Sequence, residues 1–193
     1  MLVRESINEM IKHLSPKTEK EVRKSIKHTE PKEKFLEGCE NGFLWVIKDA
    51  LKEVPDLIKY ASEGIAWAAL NNHLEIIEFL SQYPINDMFY TKYALCVAIA
   101  YGYLDITKYL IEKLQFNPAA SLSKEIEFEN DNGESNISII TALLNKHIDT
   151  VEYLLQFKDV KNELSTEQKI RICKNSHISL SFFGISWDDV YGF

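Results

Sequence analysis

Five histidines (His13, His28, His73, His147, His177) and three cysteines (Cys39, Cys96, Cys173) are the side chains best suited to metal ligation or nucleophilic chemistry. Their spacing does not bring them together. There is no HExxH motif, no CxxC pair and no Cys/His cluster with metal-ligand spacing, so no zinc site and no metal or other cofactor are expected. Phosphate-binding and acyl-transfer motifs are missing too, since GxGxxG, a glycine-rich phosphate loop and GxSxG all fail to occur. Carboxylates are plentiful, yet no pair falls in a predicted apolar cleft that would split one acid from one base. Asp131-Asn132-Gly133 invites a calcium loop. With Gly133 at the sixth position, Phe128 and Ile139 would take the first and twelfth ligand positions, which neither can fill. One enzymatic arrangement is left, Cys96 as a nucleophile beside a distant histidine, and it competes with a reading of Cys96 as core. No catalytic residue is assigned.

The elements that would position these groups are helical. The 193 residues are 46% apolar and 26% charged, with 7 Gly and 5 Pro, too few for a loop-rich all-β fold. That length suits one domain or one repeat array burying roughly 70% of its unfolded surface. A formal charge of −7 opposes nucleic acid as the main partner, because phosphate contacts need clustered Lys and Arg. The first 34 residues are the exception, with nine Lys/Arg against six Asp/Glu. Interleaved Glu19, Glu21, Glu30 and Glu33 make that run a solvated helix face. The N-terminus lacks the apolar core of a signal peptide, and the uncharged stretch Tyr93 to Leu104 has the length of a buried helix, not of a membrane span. No membrane partner is expected. The odd, scattered cysteines fit reduced thiols in a cytoplasmic setting, and the Asn136-Ile137-Ser138 sequon is then accidental.

Four segments align without gaps: GCENGFLWVIKDAL (38–51), AALNNHLEIIEFL (68–80), AIAYGYLDITKYLI (98–111) and ALLNKHIDTVEYLL (142–155). Their turn positions are Gly42, Asn72, Gly102 and Lys146, so the intervals are 30, 30 and 44 residues. Gly and Asn suit the left-handed conformation that closes one helix and reverses the chain; Lys146 suits it poorly. After each turn come an aromatic residue or His (Phe43, His73, Tyr103, His147), an aliphatic residue and, in three cases, an acid: Glu75, Asp105 and Asp149. Those acids fall in a helix first turn, where the dipole favours them. His73 and His147 share one repeat position, which makes them architectural. Seven residues before each turn an apolar residue recurs (Phe35, Ile65, Leu95, Ile139), accompanied by small residues such as Ala66, Ala68, Ala69, Ala98 and Ala142. Small side chains let neighbouring helix pairs approach closely.

This pattern resembles the ankyrin repeat, with NNHLEIIEFL and YGYLDITKYL as its nearest expressions. The likeness covers residues 33–158, about two-thirds of the chain. No Thr-Pro-Leu-His tetrad is present, and intervals of 30 residues leave little room for the hairpin fingers of the family. The resemblance implies an all-α, ankyrin-like solenoid of stacked helix-turn-helix pairs with N- and C-terminal capping helices. Residues 1–32 would form the N-terminal cap, with a helix over 2–14, a Ser15-Pro16 start to the next, and Trp45 packed on these helices. Residues 116–137 form an acidic insertion. Ile126 and Phe128 alternate there with Glu125, Glu127 and Glu129, giving either a solvated hairpin or one that meets a basic partner. Residues 159–193 supply a capping helix opened by Ser165-Thr166-Glu167-Gln168. An aromatic tail follows (Phe182, Phe183, Ile185, Trp187, Val190, Tyr191, Phe193) that folds over the last repeat.

Function follows from the resemblance as an expectation. Ankyrin-like stacks hold a partner protein along a concave face, and here that face would comprise Glu40, Asn41, Leu70, Asn71, Ala100, Tyr101, Leu144 and Asn145. Tyr90, Tyr93 and Tyr101 would serve as aromatic anchors. The expected protein is a monomeric, non-enzymatic binding module for an unidentified partner protein, host-directed or regulatory. An effector enzyme on a helical scaffold and a self-associating structural part are the competing readings.

Overall fold

The computed structural model describes residues 19–26, 29–122, 126–129 and 135–186. The expected helix over 2–14, the Ser15-Pro16 start, His13, His28, the Asp131-Asn132-Gly133 turn and the aromatic positions from Trp187 onward lie outside the described residues. The described residues are mostly helical, with a two-stranded sheet. They form two compact units, one ending at Ala94 and the other beginning at Leu95.

The first unit runs through α1 (Glu19–Ser25), α2 (Pro31–Asn41), α3 (Leu44–Glu53), a 3-10 turn (Pro55–Tyr60), α4 (Ala61–Leu70), α5 (Leu74–Leu80) and the start of α6 (Met88–Ala100). Proline opens α2, where its missing N–H leaves no bond unmade. Gly42 ends α2 at φ +74, and the Phe43 N–H then donates to the Gly38 carbonyl at 2.9 Å. The α4–α5 turn has the same form. Asn72 sits at φ +62, the His73 N–H donates to Ala68 at 2.8 Å, and the Asn72 N–H donates to Ala69 at 3.4 Å. These bonds satisfy carbonyls that a helix end otherwise leaves open.

Helix α2 packs on both α3 and α4, and α4 packs on α5. Phe35, Ile65, Ala66, Ala68 and Ala69 are fully buried, as are Ile77 and Leu80 from α5. The approach is close enough that a methyl group on Gly64 would lie 2.9 Å from both Cys39 Sγ and Leu80 Cδ1. His73 fastens the two pairs together. Its Nε2–H donates to the Glu40 carbonyl at 3.0 Å, and its ring covers Gly42, where an added methyl would stand 2.7 Å from Nδ1. Burial lowers the imidazole pKa, so the ring stays neutral in this role. Trp45 packs as expected against α1, with the Arg23 guanidinium 4.1 Å over its ring.

The second unit holds the end of α6, then α7 (Leu104–Lys108) continuing into a π turn (Tyr109–Lys113), a 3-10 turn (Pro118–Leu122), β1 (Glu127–Glu129) and β2 (Ser135–Ile137). After these come α8 (Ser138–Leu144), α9 (Ile148–Leu154), α10 (Lys158–Glu163), α11 (Thr166–Asn175) and a 3-10 turn (Leu180–Phe183). Gly102 and Lys146 take φ of +72 and +64, and the Tyr103 and His147 N–H groups reach back to Ala98 and Ala142 at 2.8 and 2.9 Å. His147 covers Gly102 as His73 covers Gly42. Glu75, Asp105 and Asp149 stand in helix first turns. Ser165 and Gln168 make the reciprocal capping box of α11.

The insertion forms an antiparallel hairpin in the register Glu127↔Ile137, Phe128↔Asn136 and Glu129↔Ser135. A free-standing solvated finger does not describe it. Ile126, Phe128 and Ile137 are buried, the strands pack on α8, and Arg171 of α11 donates to Asn136 Oδ1 at 2.8 Å. Burying three large apolar side chains outweighs the hydration of a loose loop. The 3-10 turn Leu180–Phe183 packs on α11, with Leu180 buried and Phe182 48% exposed.

Candidate functional site

The expected contact residues separate by burial. Leu70, Tyr93 and Ala100 are 2%, 0% and 1% exposed, so they have no surface to offer a partner, which corrects their assignment to the binding face. The physical reason is visible in α6: every residue from Tyr93 to Ala100 is buried, and a helix apolar on all sides has no outward stripe. Glu40, Asn41, Asn71, Tyr90, Tyr101 and Leu144 are half-buried, and Asn145 is exposed.

Several of these residues already have local tasks. The Asn41 and Asn71 amides donate to the carbonyls of Glu37 and Trp67 at 2.9 and 3.0 Å, closing the ends of their own helices. The Glu40 carbonyl receives His73. In the second unit Tyr101 stacks on Tyr103 with ring centroids 5.9 Å apart and meets Phe128 edge-on at 6.4 Å. Burial pushes its hydroxyl pKa up, and the neighbouring Tyr103 adds to the shift. Tyr101 therefore anchors the hairpin. Beyond the last helix pair, Glu152, Leu155, Gln156, Lys161, Ile178 and Phe182 line a groove of about 310 Å³.

A denser grouping occurs in the first unit. Lys32 of α2 places its ammonium 3.2 Å from Glu63 Oε2 on α4 and 4.3 Å from the centre of the Tyr60 ring. Glu63 also accepts from the hydroxyl of Tyr90 on α6. Burial and then the Glu63 and Asp87 charges raise that phenol's pKa. Tyr90 is fixed by its helix start: Asp87 accepts from the N–H groups of Phe89 and Tyr90 at 2.9 and 3.3 Å. Ser62 in turn receives the Asn86 and Asp87 N–H groups, each at 3.2 Å. Met88 next to this point is 78% exposed. Sequence reasoning named Tyr90 but missed Lys32, Tyr60 and Glu63. A signal was present, since Tyr60 and Tyr90 stand 30 residues apart, one repeat interval.

The thiols are poorly placed for nucleophilic chemistry. Burial, reinforced by the Glu63 charge, holds Cys39 well above the usual thiol range, and burial also raises Cys173. Cys96 is buried and donates to the Ala120 carbonyl at 3.4 Å. Among the described residues no group of three or more His, Cys, Asp or Glu is arranged to hold a metal ion, and no helix is long and apolar enough to cross a membrane. In comparisons with known proteins, the chain matches no family model, no curated protein and no solved structure.

Proposed function

We propose that the chain is a protein-binding module of the ankyrin-repeat kind, monomeric and working in a reducing, cytoplasmic compartment. The observation that carries this reading is the recurrent joint. Four helix pairs turn through a positive-φ residue at the positions given by the repeat, and the turn histidines His73 and His147 each cover the turn glycine of another pair. Chains built from such units use their scaffold to present side chains along helix ends, and a partner is the usual recipient. The binding face is narrowed to Glu40, Asn41, Asn71, Tyr90, Leu144 and Asn145, with Tyr101 as a support beneath it. The buried thiols Cys39 and Cys96 favour the reducing compartment.

The test is affinity capture from cell lysate by the wild-type chain beside Tyr90→Ala and Asn145→Arg, with circular dichroism as a fold control. A captured protein should be lost from at least one folded variant. Equal capture by all three chains, or none by any, would remove support for this face. Light scattering over a range of concentrations should report a single monomer mass.

A further inference from the structure

We propose that Glu63, Tyr60 and Tyr90 form a cradle for an alkylammonium group, that Lys32 occupies it in the resting protein, and that a lysine side chain of the partner takes its place. The inference rests on the protein-binding reading and gives the partner a chemistry.

Three features point the same way. The Glu63 side chain is only 15% exposed, so its carboxylate is partly removed from water and favours a counter-ion. That counter-ion is already an ammonium, 3.2 Å from Oε2 and centred 4.3 Å over the Tyr60 face, an arrangement that combines an ion pair with a cation–π contact. The Tyr90 hydroxyl occupies another part of the same carboxylate. With that position taken, the two-pronged edge that a guanidinium prefers is lost, and a compact ammonium fits better than arginine.

Lys32 is a replaceable occupant. Its side chain is 42% exposed and enters from the first turn of α2, so it can swing into water without disturbing a buried group. Lys59 also lies near the Tyr60 ring, at 5.4 Å, but its ammonium is committed to Asp56 at 2.7 Å on the open surface. Exchange at Glu63 therefore sets Lys32, tethered at high effective concentration, against an incoming lysine. The exposed Met88 and the Phe89 ring, 5.4 Å from that of Tyr90, provide an apolar border for the residues flanking that lysine.

The full chain is titrated with a capped alanine peptide containing one lysine, following tyrosine ring signals by NMR. Lys32→Gln should bind this peptide at least about tenfold more tightly than wild type, because the tethered competitor is gone. Adding Glu63→Gln should abolish the gain. The same peptide with norleucine in place of lysine should not bind Lys32→Gln, a control that does not depend on a second variant folding. Equal affinity of wild type and Lys32→Gln, or binding of the norleucine peptide, overturns the proposal. Butylammonium binding as tightly as the peptide would assign the cradle to free amines and overturn the partner lysine. Peptide titration reports on the cradle alone and lysate capture on the binding face alone, so each can fail separately.

Discussion

The two units apply one joint to different surroundings. In the first, consecutive turns are 30 residues apart and helices stack directly, α2 on α4, with His73 both covering Gly42 and bonded to Glu40. In the second, 44 residues separate Gly102 from Lys146, and His147 covers Gly102. Contacts the first unit does without accompany this longer interval. Tyr153 donates to Glu112 at 3.0 Å, Tyr101 meets Phe128, and Arg171 holds Asn136. A repeat can thus absorb an insertion when the inserted residues contribute apolar side chains and hydrogen bonds of their own.

The most damaging way to break this parallel is to fill the turn glycines. Gly42→Val and Gly102→Val should each lose about 4 kcal/mol in urea denaturation, since each combines a left-handed backbone with overpacking against a histidine ring. A much smaller loss at Gly102 would mean that the second unit does not depend on its joint. Phe128→Ala should lose about 3 kcal/mol, because it empties the site under Tyr101 and loosens the hairpin. Hydrogen exchange of β1 and β2 should rise with it. Tyr153→Phe should lose about 1 kcal/mol, and the loss should vanish when Glu112 is already Gln.

Two smaller effects sharpen the comparison. Lys146→Gly should stabilise the chain by about 1 kcal/mol by releasing a non-glycine residue from φ +64. No shift in melting temperature would show that the lysine is held there without strain. Acid should weaken the first joint through His73, whose folded pKa is lowered by burial. Below about pH 6.5 the unfolded imidazole takes up a proton that the folded one resists, so stability present above that pH is lost as the pH falls through the folded pKa. His73→Gln should flatten this part of the stability–pH curve.

Features set by neighbours in the chain were legible from the residues. Gly42, Asn72, Gly102 and Lys146 all reverse the chain through positive φ, Ser165 and Gln168 cap α11, and Ile126 and Phe128 alternate into a strand pair. Each depends on a few adjacent side chains. What depended on distant packing was not legible. Tyr93 was expected to meet a partner because tyrosine favours interfaces, whereas its apolar neighbours in α6 leave it enclosed. The Lys32–Glu63 pair joins residues from two helix pairs. Only the 30-residue echo of Tyr60 in Tyr90 hinted at that place.

The wide turn at Tyr109–Lys113 has a consequence for the chain's tolerance of length change. There the Leu114 N–H reaches Tyr109 and the Phe116 N–H reaches Leu110, so this coil of helix holds more peptide than an ordinary α turn. Adjacent Leu110 and Ile111 both end inside, and Glu112 comes to face Tyr153. Deleting one residue here would tighten the spiral and swing everything downstream by roughly 100°. This short segment thereby acts as the phase-setter for the hairpin that comes after it.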